Sequence, residues 1–299
     1  MIGNDALQTL GPFLASNRGR IPRPLQAAFL CGVLCLVLLV GWSSGGGDPA
    51  WGRLARFPLP EHIGWIDLLP PLSVLALTQL GAPVSTSFLV LTAFSPANLP
   101  ELLGRSLLGY GLALLAGALV YGSVGWLLER PDPEERRWPA LWLALQWLAT
   151  GWLWGQWLVQ DLANLYIYLP RRLDGGAMAL SLAALCAGVC LLLAEDGGAI
   201  QGRIRSKSNV VDPRSSALIA AVYGLILFAL GQLSPQPLST TWVFLGLLAG
   251  RELALLARLG QRSGDEVAMV LAADVARSAL GLGVSVAVAL AVPLLHGRG

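Results

Sequence analysis

The chain has 299 residues, of which 55% are hydrophobic and 13% are charged, and its mean hydropathy is +0.63. A soluble domain carries about twice this fraction of charged residues, so the composition excludes a soluble globular protein and indicates a membrane protein. The formal net charge is only +2 and the basic residues are dispersed, which excludes nucleic-acid binding.

Apolar runs of membrane-spanning length begin near the amino terminus. Residues 25–42 form the first run, and Arg18, Arg20 and Arg23 precede it, which predicts a cytoplasmic amino terminus. No small-residue cleavage site follows this run, so we expect a retained span and no signal peptide. Further segments are predicted, in order, over residues 63–80, 84–94 and 102–128.

A polar run over residues 129–137 separates these segments from a second apolar series. The first member, residues 138–169, is so long that it must tilt strongly or break, since about 32 helical residues would measure about 48 Å. The remaining predicted segments are 177–194, 216–233, 238–256 and 266–295, with a basic, cytoplasmic loop over 202–214. If every segment crosses, there are nine crossings and the carboxyl terminus lies outside.

Two hydroxyl-rich motifs interrupt the apolar segments. The hydroxyl residues are Ser85, Thr86 and Ser87 in the first motif and Ser239, Thr240 and Thr241 in the second. Each motif follows a proline and an aliphatic residue, a pattern that predicts a broken segment with a new helix starting at the hydroxyls. Helix amino termini attract anions, so these six residues are candidate substrate-binding residues. In the alternative interpretation the hydroxyls only bond to their own helices or pack as small residues.

Three landmarks recur at nearly one interval. The pairs are Ser85 with Ser239 (154 residues apart), Cys31 with Cys186 (155 residues apart) and Asp5 with Asp161 (156 residues apart). Five segments separate equivalent landmarks, and an odd number would invert the second copy. We therefore predict an all-α polytopic membrane protein with two inverted-topology repeats, each with a helical hairpin. The first repeat covers 1–128, a linker with one span covers 129–156, and the second repeat covers 157–299.

Two acidic positions are candidates for holding a coupling ion. Asp161 and Asn164 are three residues apart, hence on one helical face, within an apolar segment where a carboxylate needs a cation, a polar partner or water. Alternatively, Asp161 lies at the membrane interface near Arg171. Asp5 and Asn4 are the equivalent pair near the amino terminus, where side chains are often simply exposed.

Other reactive residue types form no recognisable site. The four cysteines lie in apolar segments, where cysteine behaves as a small hydrophobic residue. His62 and His296 are isolated, so neither a metal cluster nor a nucleophile with its base can be assembled. The sequence therefore predicts neither an enzyme nor a bound cofactor beyond a coupling Na⁺ or H⁺.

The acidic and hydroxyl motifs together resemble those of the inorganic phosphate permease (PiT) family. That family has two inverted repeats, each with a Gly-Ala-Asn-Asp-X-Ala-Asn-Ala type motif followed about eighty residues later by a Pro-Val-Ser-Thr-Thr-His type motif. Here 80 residues separate Asp5 from Ser85 and 78 separate Asp161 from Ser239. Phe88 replaces the family's histidine in the first motif, and Trp242 does so in the second.

The resemblance implies a cation-coupled carrier that moves inorganic phosphate or a similar oxyanion by alternating access. It assigns Asp161, Asp5 and Asn4 to the coupling ion, and Asn164 and the six hydroxyl residues to the substrate. We expect a multi-pass protein of the inner (plasma) membrane, in contact with the lipid bilayer and a small inorganic anion, with a homodimer as one expected assembly. The alternative is a membrane scaffold or accessory subunit that retains the transporter fold without transport, which the missing histidines favour.

Overall fold

The computed structural model describes residues 5–60, 62–79, 85–125, 139–194, 212–259 and 264–295. Within these ranges the chain is helical and contains no strand. A helix satisfies every interior backbone N–H and C=O within its own segment, which long apolar runs in a membrane require. The all-helical prediction is therefore confirmed for the described part of the chain.

Five α-helices precede residue 125. They are α1 (Leu7–Asn17), α2 (Arg23–Ser44), α3 (Leu69–Gln79), α4 (Thr86–Phe94) and α5 (Leu99–Val120). A 3₁₀ turn (Trp65–Leu68) leads into α3, where the Gly64 N–H donates to Asp67 Oδ2 at 2.8 Å. Prolines in the first turn favour the starts of α2 and α5, because their missing N–H would have no helical partner there.

Six further helices follow residue 138. They are α6 (Pro139–Asp161), α7 (Ala163–Tyr166), α8 (Gly175–Ala194), α9 (Pro213–Leu233), α10 (Thr240–Leu259) and α11 (Gly264–Leu295). The long apolar run predicted over residues 138–169 is divided, because α6 ends at Asp161 and the single-turn helix α7 begins at Ala163. This division places Asp161 at a helix end.

Five helical segments within the described residues are long and apolar enough to cross a membrane. They are Arg23–Ser44, Pro96–Val124, Gly175–Ala194, Pro213–Leu233 and Thr240–Ala257. Large apolar side chains cover the outside of the molecule, with Leu119 and Leu148 each 71% exposed and Leu180 73% exposed. An apolar exterior of this kind suits lipid, so the protein is an α-helical membrane protein.

The helices pack in pairs around a core that contains the polar residues of interest. The most extensive contacts join α5 to α10 and α6 to α9, while α4 packs on α11 and α2 packs on both α6 and α8. In α6, Trp154 and Trp157 are fully buried and their rings stack at 4.8 Å. Trp154 Nε1 donates to the Leu30 carbonyl oxygen at 3.0 Å, which joins α6 to α2.

The amino-terminal segment is part of this core, which the sequence did not indicate. Helix α1 contains Pro12 and is short, yet Leu10 and Phe13 are almost completely buried. Asn17 at its end donates to Gln146 Oε1 of α6 at 3.0 Å, and Trp147 Nε1 donates to Asn17 Oδ1 at 3.1 Å. These bonds hold α1 against α6, and α1 in turn places Asp5 inside the molecule.

Candidate functional site

The first hydroxyl motif, residues 85–87, begins helix α4. Ser85 is the N-cap residue, and its side chain accepts a hydrogen bond from the Phe88 N–H at 3.2 Å. Thr86 and Ser87 therefore occupy the first turn, and all three hydroxyl residues are buried. The predicted helix start is confirmed at this motif, while residues 80–84, where the break was predicted, lie outside the described residues.

The second hydroxyl motif, residues 239–241, begins helix α10 in the same way. The side chain of Ser239 accepts from the Trp242 N–H at 3.3 Å, and the Ser239 N–H donates to Ser106 Oγ of α5 at 2.9 Å. The rings of Phe88 and Trp242 lie 5.5 Å apart, so the residues that follow the two motifs contact each other. The motifs are thus adjacent, although 154 residues separate Ser85 from Ser239.

The carboxylate of Asp161 lies between these motifs. Thr240 Oγ1 donates to Oδ2 at 2.6 Å, and Ser87 Oγ donates to Oδ1 at 3.4 Å. Asn164, one turn further along the broken α6–α7 segment, donates from Nδ2 to Asp161 Oδ1 at 2.8 Å and to Ser87 Oγ at 3.1 Å. Asp161 is therefore hydrogen-bonded to both motifs and does not lie at an interface near Arg171.

Asp5 occupies the matching position beside the other hydroxyls. Thr241 Oγ1 donates to Asp5 Oδ1 at 2.8 Å, and Asp5 is also hydrogen-bonded to Thr86. Asp5 is only 2% exposed, so it is a core residue and not a solvated terminal one. Asn4, the other candidate for the coupling ion, lies outside the described residues.

Two buried carboxylates close to each other dominate the electrostatics of this site. Asp5 and Asp161 are near enough to repel one another, and Asp161 forms no ion pair with any arginine in the described part of the chain. Burying a carboxylate costs several kcal/mol, and the donating hydroxyls, together with the nearby charge of Arg53 at Asp161, offset part of that cost. A monovalent cation or a proton bound at the carboxylates would offset the remainder.

The side-chain oxygen of Asn164, which is buried near Asp161, accepts no hydrogen bond within the described structure. Asn164 Oδ1 is inaccessible and accepts no hydrogen bond from the described residues, while its amide nitrogen is engaged with Asp161 and Ser87. Amide and carboxylate oxygens are the ligands that hard cations prefer. Asn164 Oδ1 and the Asp161 carboxylate could therefore ligate one small cation together, which adds Asn164 to the residues suited to the ion.

Tyrosine and backbone groups complete the surroundings of the site. Tyr223 Oη of α9 donates to the Thr240 carbonyl oxygen at 2.7 Å, and Ser87 Oγ also reaches the Leu238 carbonyl oxygen at 3.4 Å. These contacts fix the turn that starts α10. The chemistry available is that of a desolvated, hydroxyl-rich cluster with two carboxylates, which can exchange protons or cations and can donate hydrogen bonds to an anion.

Two arginines beside the second hydroxyl motif were missed by the sequence reasoning. Arg53 and Arg105 both donate to the Gln236 carbonyl oxygen, three residues before Ser239. Arg105 stands inside a predicted apolar segment, and that unusual position was a signal that could have identified it. Arg53 belongs to a loop, where nothing in the local pattern distinguishes it from a solvated arginine.

Comparison of the chain with family models, curated proteins and solved structures found no match.

Proposed function

We propose that this protein is a membrane carrier that moves inorganic phosphate or a similar oxyanion, coupled to Na⁺ or H⁺, by alternating access with a PiT-like architecture. The observation that carries the proposal is the reciprocal bonding of two acidic and two hydroxyl motifs at one buried place. Each carboxylate is bonded to a hydroxyl of the motif that follows it in sequence and to a hydroxyl of the other motif.

The four hydrogen bonds form two matching pairs. Asp161 with Thr240 corresponds to Asp5 with Thr86, and Asp161 with Ser87 corresponds to Asp5 with Thr241. A two-fold rotation that exchanges the two repeats would convert each hydrogen bond into its counterpart within the same pair. This supports two inverted repeats that meet near the bilayer midplane, as in carriers built from broken helices. About nine membrane segments, with helical hairpins at the two hydroxyl motifs, and an inner-membrane location belong to the same proposal.

The proposed coupling follows from the charges of the site. A cation at Asp161, Asn164 and Asp5 neutralises the carboxylates and weakens their hold on the hydroxyl protons. The released hydroxyls, together with the first-turn N–H groups of α4 and α10, can then donate to an oxyanion. Cation binding thereby raises the affinity for the anion, and by linkage the anion raises the affinity for the cation equally.

Uptake of labelled phosphate into proteoliposomes tests this function directly. We expect saturable uptake that requires an inward Na⁺ or H⁺ gradient, and we expect Asp161→Asn to abolish the dependence on the gradient because it removes the charge that holds the ion. Asp174→Asn is the matched control, since Asp174 caps α8 through the Ala177 N–H at 2.7 Å and asparagine caps equally well. Absence of saturable uptake under both gradients would refute a carrier.

One observation favours the alternative of a non-transporting scaffold. Phe88 and Trp242 contact each other where the PiT family has histidines, so an apolar contact stands beside the hydroxyl motifs. A scaffold would bind neither phosphate nor the coupling cation in purified form. Direct binding measurements on the detergent-solubilised protein therefore separate the two functions before any transport assay.

A further inference from the structure

A strained turn directs Arg53 into the protein. Asp48 side-chain oxygens accept from the Ala50 N–H at 2.8 Å and from the Gly52 N–H at 2.9 Å. Trp51 has a φ of 57° and Gly52 a φ of 71°, and a left-handed backbone is strained at a non-glycine residue. The turn ends at Arg53, which is only 6% exposed. A solvated loop arginine would need no such arrangement.

Within the described part of the chain, only Nη1 of the Arg53 guanidinium donates hydrogen bonds. Nη1 donates to the Pro235 carbonyl oxygen at 3.2 Å and to the Gln236 carbonyl oxygen at 3.4 Å. Nε is buried without a partner, and Nη2, beside Gly231, has no acceptor among the described residues. The Nε and Nη2 edge is the planar fork that binds carboxylate and phosphate oxygens in a bidentate manner. Nε of this fork is therefore buried, and neither of its two nitrogen atoms is hydrogen-bonded within the described part of the chain.

Arg105 adds a second positive charge at the same loop. Its Nη2 donates to the Leu230 carbonyl oxygen at 3.1 Å and to the Ser234 carbonyl oxygen at 3.2 Å, and its Nη1 shares the Gln236 carbonyl oxygen with Arg53. Capping the carboxyl end of α9 explains the position of Arg105. It does not explain why a second guanidinium is buried beside it, since like charges repel.

Nearby carboxylates offset the charge of this pair without forming an ion pair with either arginine in the described structure. Glu101, one turn before Arg105, pairs with Arg56 at 3.2 Å, and its charge also favours the charged form of Arg105. Asp161 is close enough to favour the charged form of Arg53, but its oxygens accept from Thr240, Ser87 and Asn164. Burial, followed by the charge of Arg105, lowers the pKa of Arg53 to about 10, and the guanidinium stays protonated at neutral pH.

We infer that Arg53, with Arg105, forms an oxyanion-binding site between the turn at residues 48–53 and the loop at residues 234–236. The Nε and Nη2 groups of Arg53 donate to two oxygens of one anion, and Arg105 supplies the second charge. Gln160, the neighbour of Asp161, directs its amide toward the same Gly231 position as Arg53. The site is thus next to the hydroxyl motifs and serves as a recruitment site for the anion, which rests on the proposed carrier function.

Phosphate binding to the purified protein in phosphatidylcholine nanodiscs tests this site. We expect Arg53→Gln to raise the phosphate Kd about tenfold or more, and Arg53→Lys, which keeps the charge but loses the fork, to raise it by a smaller factor. Arg56→Gln is the matched control, because Arg56 is exposed three residues away, and its Kd should equal that of the wild type. An unchanged Kd in a folded Arg53→Gln protein would overturn the proposed Arg53 site without affecting the proposed carrier function. If the wild-type protein binds no phosphate, the proposed carrier function itself is refuted.

A second measurement on the wild-type protein does not depend on the folding of variants. A structure with bound tungstate should show anomalous density within hydrogen-bonding distance of Arg53 Nε and Nη2. Density only at the hydroxyl motifs would overturn the recruitment site.

The anion could also be the phosphate of a lipid headgroup, and the nanodiscs distinguish the two sources. With phosphatidylglycerol added, a headgroup in the site raises the phosphate Kd of the wild type but not that of Arg53→Gln. A free ion leaves both Kd values unaffected by the lipid. Either result supports the site, provided that the Kd in phosphatidylcholine depends on Arg53.

Discussion

At the scale of single residues, the site is defined by hydroxyls that donate to carboxylates rather than to their own helices. Three of them donate a hydrogen bond to an aspartate that is distant in sequence: Ser87, Thr240 and Thr241. By contrast, Thr92 and Ser106 in the same region donate to carbonyl oxygens four residues earlier, as isolated helix hydroxyls usually do. These three hydroxyls thus differ from ordinary helix hydroxyls, whereas those of Ser85 and Ser239 bond to their own helices, as the alternative interpretation predicts.

Removal of the Thr240 hydroxyl should destabilise the protein and alter the site. We expect Thr240→Val to lower the free energy of unfolding by about 1.5–3 kcal/mol, the value of a hydrogen bond to a charged group, and to weaken phosphate binding. Thermal unfolding in detergent and phosphate binding provide the two measurements.

Thr150→Val is the matched control for this substitution. Thr150 is 1% exposed and its hydroxyl is buried without a partner in the described structure, so the same chemical change should be neutral or slightly stabilising. Equal losses of stability in the two variants would contradict the assigned role of the Thr240 hydroxyl.

At the scale of helices, glycines determine how closely α5 and α10 approach. A Cβ at Gly246 would lie 2.3 Å from the Tyr110 carbonyl oxygen, and one at Gly250 would lie 2.1 Å from the Leu114 carbonyl oxygen. From the other helix, a Cβ at Gly117 would lie 2.5 Å from the Leu247 carbonyl oxygen. The spacing of Gly246 and Gly250 is the small-xxx-small pattern of closely packed membrane helices.

Substitution of one of these glycines should separate the two helices. We expect Gly250→Ala to cost about 1–3 kcal/mol of stability, since no flexible side chain can move away from the added methyl group. Gly111→Ala in α5 is the control, because nothing lies within 4 Å of its Cβ position, and alanine there should raise helix stability slightly. Comparable melting temperatures for the two variants would argue against backbone contact between α5 and α10.

Features that depend on neighbouring residues were predictable from the sequence, whereas features that depend on contacts between distant segments were not. The helices and their starts at Ser85 and Ser239 were readable because capping and hydropathy act within a few residues. The burial of Asp5 was not, because it depends on α1 packing against α6 through Asn17 and Gln146, which are 129 residues apart. Similarly, the role of Arg53 depends on a distant loop at residues 234–236, and no local pattern encodes which distant segments meet.

At the scale of the whole molecule, helices that carry equivalent sequence landmarks are in contact. Helix α2 packs on α8, and Cys35 Sγ lies 3.7 Å from Cys186 Sγ. Under the proposed inverted repeat these two helices are counterparts, and their contact would lie on the two-fold axis that also relates the hydroxyl motifs. The cysteines thus provide a chemical test of the arrangement that is independent of the site.

Mild oxidation should link these two helices. In a Cys31→Ser/Cys190→Ser variant, which keeps only Cys35 and Cys186, we expect an intramolecular disulfide, because small backbone fluctuations can bring the two sulfur atoms into bonding distance. Peptide mass spectrometry identifies the linked pair, and a variant that also carries Cys186→Ser is the control. Only intermolecular links in the first variant would contradict the contact between α2 and α8.

The glycine-mediated approach of α5 and α10 has a mechanical consequence. Two helices in backbone contact cannot slide without losing that packing, so they behave as one rigid unit. This unit carries Arg105, Ser106 and the second hydroxyl motif, and it holds their mutual geometry fixed. Under the proposed carrier function, the site would therefore open where α4 packs on α11 and where Leu162 separates α6 from α7.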